Sequence, residues 1–305
     1  MDAPLELFRS RSGESVLSRS ARRGVLLRVR PGLYADADEW TGLAPWDRYA
    51  ARVLAAATTL TDPVFAYESA AVVHGLPIFG EPRLLHASTS TGRGYRRGEL
   101  VVHAGEPRAF ERVDGILVTA LLDTVGDLIR VLPHAHAVAV LDAALRRGVD
   151  AGALRRLLAV QPSSRGMRRA QSVLGAADAR AESPFESVSR VTITALGFDR
   201  PELQACFELP HGEARADFWW PRERIIGEAD GRGKYGETAE TSAEAVWRER
   251  RREVELLRQV AHVARWEWSD VTTPARLDAI LRAAGVPRIQ PAMPDLSRFL
   301  FSPRR

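Results

Sequence analysis

Ala214-Arg215-Ala216-Asp217-Phe218-Trp219-Trp220-Pro221-Arg222-Glu223-Arg224-Ile225-Ile226-Gly227-Glu228-Ala229-Asp230 is the stretch on which the fold turns. Two alternating runs flank Pro221–Arg224, which predicts a β-hairpin. Folding it about the centre of those four residues sets Trp219 opposite Ile226, Asp217 opposite Glu228, and Arg215 opposite Asp230. Successive side chains alternate faces. Ala216, Phe218, Trp220, Ile225, Gly227 and Ala229 then share an apolar face, and Arg215, Asp217, Trp219, Ile226, Glu228 and Asp230 share the other. Opposed residues lie about 4.5–5.5 Å apart at Cβ, where like charges repel. A carboxylate pair placed that way calls for a cation or a shared proton between the two, and hard oxygen ligands at an open site suit Mg2+ or Mn2+. The plain alternative is a solvated acidic face partnered by Arg215 and Arg224.

Working outward, Ser183-Pro184-Phe185-Glu186 predicts a helix start, with Ser at N-cap, Pro at N1 and Glu at N3. Phe185, Val188, Thr192 and Ala195 give that helix a buried stripe, and Gly197 stops it. Leu203 to Leu209 reads as a strand joined to the hairpin through Pro210-His211-Gly212. Downstream, Glu244 to Val260 reads as a charged helix and His262 to Trp268 as a closing strand.

Helix, three-stranded meander, helix, strand is the core order of the PD-(D/E)XK nucleases. In detail the segment resembles their Vsr-related subfamily. The matching residues are Ser183-Pro184…Glu186, Pro201-Glu202-Leu203-Gln204, Asp217-Phe218…Pro221, Glu228-Ala229-Asp230-Gly231…Lys234-Tyr235, Glu249-Arg250-Arg251 and Arg265-Trp266. The resemblance implies a restriction-endonuclease-like domain over 182–290, with Asp217 and Glu228 as metal ligands. Glu186 would complete the site from the first helix, although a capping-box Glu is already explained. Gln204 would orient a water from the first strand. Lys234, following two glycines in Gly231-Arg232-Gly233, would reach the phosphate or the attacking water as a compact ammonium; a surface lysine is the alternative. Many superfamily members place Lys two residues after the second acid, and this chain has Asp230 there, on the Glu228 face of the strand.

The N-terminal segment, 1–42, reads as a short helix over Ser12 to Arg23, ended by Gly24, then a hairpin turning at Pro31-Gly32. Seven arginines and one acid, Glu14, lie between Arg9 and Arg30. Helix, then hairpin, with arginines on both, is the order of a winged helix-turn-helix. Arg22-Arg23-Gly24-Val25-Leu26 and Arg28-Val29-Arg30-Pro31-Gly32-Leu33-Tyr34 resemble the N-terminal domain of AbiEi-type antitoxins and transcriptional regulators. The likeness continues through Ser69-Ala70-Ala71-Val72-Val73-His74-Gly75-Leu76-Pro77, Asp127-Leu128 and Asp142-Ala143-Ala144-Leu145-Arg146-Arg147-Gly148 in a mixed α/β middle domain, 43–160. It implies DNA contacts from Arg19, Arg22, Arg23, Arg28 and Arg30, and a cognate toxin as a further partner. Within the middle domain, Trp46 to Thr59, Leu122 to Leu132 and His136 to Arg147 read as helices, and Leu100 to His103 and Ile116 to Thr119 as strands. The polar stretch 161–181 reads as a linker and 291–305 as a tail. The expected class is therefore α/β, α+β overall, with a mixed central sheet in the C-terminal domain.

The bulk numbers agree with a two- or three-domain globular chain: 305 residues, 45% apolar and 27% charged. No apolar run approaches the roughly 18 residues a membrane span needs. The start lacks the basic-then-apolar order of a secretory signal, and one cysteine, Cys206, excludes an internal disulfide framework, so a reducing cytoplasm is expected. Net charge is only +4, so its distribution rather than its sum points to nucleic acid. Lys and Arg total 43, and Lys234 is the one lysine. His134 and His136, two apart near a helix start, read as a surface turn rather than a metal pair. His74 reads as a helix C-terminal residue. Arg248 to Arg252 is a solvated helix face or the lining of a DNA channel. Two functions follow: a metal-dependent DNA endonuclease with an N-terminal DNA-binding module, or an AbiEi-like regulator whose nuclease-like domain is scaffold.

Overall fold

The computed structural model describes residues 4–10, 16–105, 109–210, 212–230 and 254–302. The chain divides into two compact units: Met1–Leu128 with Gly152–Gln161, and Ile129–Ala151 with Pro162–Arg305. The class is α+β with mixed sheets.

The first unit opens with β1 (Phe8–Arg9), α1 (Val16–Arg22), β2 (Leu26–Arg30), β3 (Leu33–Asp36) and α2 (Ala37–Gly42). The three strands form an antiparallel sheet in the order β1-β3-β2. Gly32 makes the turn between β2 and β3 at φ 79, a left-handed conformation that costs glycine little. Asp36 caps α2, its Oδ1 accepting from the N–H groups of Asp38 and Glu39.

The helix α3 (Pro45–Thr59) then precedes β4 (Val64–Phe65), α4 (Tyr67–Val73), β5 (Leu85–Thr89), β6 (Tyr95–Arg97), β7 (Leu100–Ala104), β8 (Phe110–Val113) and β9 (Ile116–Thr119). These strands make a six-stranded mixed sheet, β6-β7-β5-β4-β9-β8. Tyr49, Val53 and Ala56 of α3 pack with Phe65, Leu85, Ala87, Leu100, Val102 and Val118.

α5 (Leu121–Val131), α6 (His134–Arg146), α7 (Ala151–Ala159), α8 (Met167–Ala176) and α9 (Pro184–Ala195) follow. The expected linker, 161–181, therefore carries a helix: Ala170 and Val173, three apart, are buried in α8. Its polar lead-in, Ser163-Ser164-Arg165-Gly166, hid that spacing. α6 is buried along almost its whole length, and His134, read as a surface residue, is 6% exposed.

The second unit's sheet is β10 (Glu202–Leu209), β11 (Gly212–Trp220), β12 (Ile225–Ala229) and β13 (His262–Trp266) in that spatial order. β11 pairs antiparallel with both β10 and β12, and β13 joins β12 in parallel. The turn between β11 and β12 puts Arg224 at φ 55, held by Arg224 Nη2 donating to the Gln259 carbonyl at 2.6 Å. Phe218 packs on Trp266 at 5.2 Å between ring centres, and the Trp266 Nε1–H donates to Ser189 Oγ of α9 at 2.9 Å. α10 (Trp268–Thr272), α11 (Pro274–Ala284) and α12 (Leu296–Phe301) complete the chain. α12 lies in the expected tail, yet Leu300 is buried and Phe299 packs on His134 at 4.6 Å.

Candidate functional site

The hairpin register agrees with the sequence next to the turn, where Phe218 pairs Gly227, Trp219 pairs Ile226 and Trp220 pairs Ile225, but the paired register ends there and does not include the expected Asp217–Glu228 and Arg215–Asp230 pairs. The strict alternation of faces does not extend behind Phe218. Ala214 and Ala216 belong to an apolar cluster with Ile226, Leu256 and Val260, whereas Phe218 packs on Trp266. The slip has a visible cause. Leu203 pairs Phe218 and Ala205 pairs Ala216, but the intervening Gln204 sits at φ 55, and no paired register spans it and Asp217. A left-handed residue in one strand rotates the peptides on either side and turns the chain over.

That irregularity frees Asp217 from ladder geometry on both sides. Its Oδ2 accepts from the Ala229 N–H at 3.0 Å, so the side chain continues the β11–β12 contact where backbone pairing ends. Opposite it, the Gln204 Nε2 donates to Glu186 Oε2 at 2.7 Å. Glu186 is 6% exposed, and the same oxygen accepts from the Glu182 N–H at 2.9 Å. The Ser183 Oγ accepts from the Glu186 N–H at 3.1 Å, the cap the sequence predicts. Glu186 is therefore both a helix-start residue and a buried acceptor for the first strand. A buried carboxylate needs such donors, since an unsatisfied one costs several kcal/mol.

Glu228 meets a different partner. β12 and β13 set Glu228 beside Arg265, and the Arg265 Nε donates to Glu228 Oε2 at 2.7 Å. Asp230 Oδ2 lies 4.0 Å from the same nitrogen. The repulsion expected of opposed acids is thus met by a backbone N–H at Asp217 and by a guanidinium at Glu228. Sequence reasoning named Arg265 only as part of a motif; the parallel register of β12 and β13, which is not readable locally, gives it this contact.

Arg19 and Arg22 of α1, Arg23 of the turn after it and Arg28 of β2 are exposed. Arg30 is engaged instead: its Nη1 donates to Glu99 Oε1 at 2.6 Å, and its side chain is 11% exposed. Lys234, the Glu249-Arg250-Arg251 motif and the Arg248–Arg252 string lie outside the described residues. Among the described residues no group of three or more His, Cys, Asp and Glu is placed to hold a metal ion. The donor set at the hairpin is two carboxylates, Asp217 and Glu228, and Mg2+ is held by one or two carboxylates plus water. In kind and number the residues fit a hard divalent cation.

A second polar cluster was missed. His86 Nδ1 and His103 Nε2 share a hydrogen bond of 2.9 Å, and Glu68 Oε2 lies 3.7 Å from the His86 Nε2. Tyr67, at φ 50, sets its ring tilted 4.5 Å from that of His103. Burial pushes His86 down to about 4 and Glu68 up from the ordinary carboxylate value. Both histidines come from strands too short to flag it, since β5 and β7 hold five residues each.

No helix among the described residues is long and apolar enough to cross a membrane. No family model matches the chain, and no solved structure matches it. Two curated relatives do match: uncharacterized proteins of Mycobacterium tuberculosis, strains CDC 1551 / Oshkosh and ATCC 25618 / H37Rv. Each is 38% identical over 131 residues, covering 42% of this chain and 48% of the relative. The chain spans about half the length of the curated relatives it matches.

Proposed function

We propose that the second unit carries a PD-(D/E)XK-like, divalent-metal-dependent DNA endonuclease site, and that the exposed N-terminal arginines bind the DNA backbone as part of a winged-helix-like module. What supports this reading is that Glu186, Gln204, Asp217 and Glu228 are carried by α9 and the adjacent strands β10, β11 and β12, with Gln204 bonded to Glu186 and Asp217 to the Ala229 N–H. The helix, the antiparallel meander and the parallel fourth strand support it, because that order is the core of the resembling nucleases. Asp217 and Glu228 would hold Mg2+ or Mn2+. The bound ion would polarise the scissile phosphate and acidify water. Glu186 and Gln204 act together: the carboxylate fixes the amide of Gln204 and leaves its carbonyl oxygen to accept from a water beside Asp217. Arg19, Arg22, Arg23 and Arg28 hold phosphates without reading sequence.

One observation favours the regulator instead. Glu228 is already paired with Arg265, and Asp230 replaces the usual lysine, so a non-catalytic nuclease-like scaffold with a cognate toxin as partner is the second reading. Metal-dependent cleavage of single-stranded, duplex and mismatched DNA separates the two. Wild type is expected to cleave at least one of these with Mn2+. Asp217→Asn keeps shape while deleting a charge, and is expected to lower cleavage by about 100-fold or more, the order that losing one preorganised electrostatic group costs, with the thermal midpoint retained. Absence of both metal binding and cleavage in the wild type would leave the regulator.

A further inference from the structure

We infer that the β6–β7 edge of the first unit binds an unpaired strand of DNA, with a base stacked on Tyr95 and phosphates on Arg93, Arg96 and Arg97. The inference goes beyond the endonuclease reading and needs no metal ion. Gly92-Arg93-Gly94-Tyr95-Arg96-Arg97-Gly98 carries three arginines and no acid. β6 is an edge strand of the six-stranded sheet, and every residue of this stretch is exposed. Glu99, the next acid along the chain, is held by Arg30 at 2.6 Å and Arg52 at 2.7 Å, which keeps it from the hairpin's own arginines. Among the described residues no ion pair engages Arg93, Arg96 or Arg97, and the Arg96 Nε donates to the Gly98 carbonyl at 3.2 Å. The backbone that presents them is fixed. Tyr95, Arg96 and Arg97 pair with Val102, Val101 and Leu100, and a Cβ on Gly94 would stand 2.9 Å from the Val102 carbonyl oxygen. Tyr95 is 55% exposed and walls a cleft of about 520 Å3 floored by Ala87, Leu100 and Val102; Phe110, 63% exposed, lines it as well. An open ring between arginines is a stacking platform for an unpaired base, with the cations tracking the backbone. Arginines on an edge strand also discourage strand pairing, but that use asks for no exposed aromatic among them. The charged residue lining the cleft is Asp62, which accepts from a base amino group and repels phosphate. Bases therefore face the cleft while the backbone follows the arginines. The apolar floor offers a thymine methyl a contact that uracil cannot make, which favours DNA over RNA.

The test uses the full chain in EDTA, titrated into a labelled oligothymidylate and read by fluorescence anisotropy. Tyr95→Leu, which keeps apolar bulk without the ring, is expected to weaken binding about five- to 100-fold, the worth of one stacked base. Its salt slope should stay at the wild-type value. Tyr95→Phe should bind like wild type, which separates loss of the ring from damage to the strand. Arg93→Gln, Arg96→Gln and Arg97→Gln combined should flatten the log–log salt slope by about two, the figure for three single-strand phosphates. Against the same oligonucleotide annealed to its complement, Tyr95→Leu should match wild type, because paired bases do not offer their faces. No binding by wild type, full affinity in Tyr95→Leu, or an unchanged slope in the arginine variant would overturn the proposal. An oligouridylate bound as tightly as the oligothymidylate, or more tightly, would replace DNA by RNA as the occupant. Since no divalent ion is present, the result stands apart from that of the cleavage assay, and either reading can fail without the other.

Discussion

At the scale of single residues, Gly227 shows how closely the hairpin is fitted to its partner. A Cβ there would meet the Trp266 ring at 2.5 Å from Cη2 and 2.9 Å from Cζ3, and Phe218 Cβ at 3.1 Å. The ring cannot retreat, because its Nε1–H is bonded to Ser189 and the indole is enclosed. Gly227→Ala should therefore destabilise the second unit by about 1–3 kcal/mol, the usual cost of overpacking. Urea unfolding followed by tryptophan fluorescence measures it. A neutral result would mean that β13 shifts to make room. The sequence placed Gly227 on an apolar face, opposite Phe218, but could not say that an indole fills the gap. The same limit applied to Gln204. The family resemblance implied a water-orienting role, whereas its left-handed backbone and its bond to Glu186 depend on strands brought together by the fold. The pairing of Phe218 with Gly227, Trp219 with Ile226 and Trp220 with Ile225 was legible because a short hairpin fixes its own register.

Between elements, the second unit depends on a buried ion pair. Asp142 of α6 has no exposed side-chain surface; its Oδ2 accepts from Arg190 Nη2 of α9 at 2.8 Å and its Oδ1 from the Asp178 N–H at 2.7 Å. Burial pushes Asp142 up, while Arg190, the Asp178 N–H and Ser187 pull it back. One carboxylate thus ties α6, the segment after α8, and α9, which also carries Glu186. Arg146 adds a donor from the same helix to the Ala181 carbonyl. Asp142→Ala strands a buried guanidinium whose Nε already has no hydrogen-bond partner. The expected loss is about 3–5 kcal/mol, the usual cost of breaking one side of a buried pair. Asp142→Asn, which can keep the Asp178 bond, should lose less. Equal stability of Asp142→Ala and wild type in chemical denaturation would remove the pair from the account. The sequence offered Asp142 only as part of a family-like string, since nothing local joins it to Arg190, 48 positions away. Elements with their own signals were found: α3, α9, β9 and the meander lie within a few residues of their expected bounds. β4 and β5 were not, being short strands among turns whose pairing is set by distant partners.

The two units of the whole molecule share a form of acid sensitivity. Three histidines are held neutral by burial: His86 in the first unit, and His134 and His136 on α6 in the second. Each is pushed down to about 4 from 6.5, with repulsion from Arg169 adding to burial at His134. A depressed folded value means that the unfolded chain takes up the proton first. The stability these groups contribute is complete above about pH 6.5 and is lost as pH falls toward 4. At 1.36 kcal/mol per unit this is on the order of 3 kcal/mol per histidine. Carboxylates oppose the trend, because Glu68 and Asp142 are raised by burial and gain from protonation in the fold. The first unit sets one histidine against one such carboxylate, and the second sets two histidines against one. The second unit should therefore yield first in acid. Tryptophans 219, 220, 247, 266 and 268 belong to it and tryptophans 40 and 46 to the first, so fluorescence follows mainly the second. An acid titration should show fluorescence changing at a higher pH than the far-ultraviolet signal of the whole chain. His134→Leu combined with His136→Leu should move the fluorescence midpoint to lower pH and leave the first unit's transition in place. Coincident transitions that do not move in the double variant would show that these histidines do not set the acid limit.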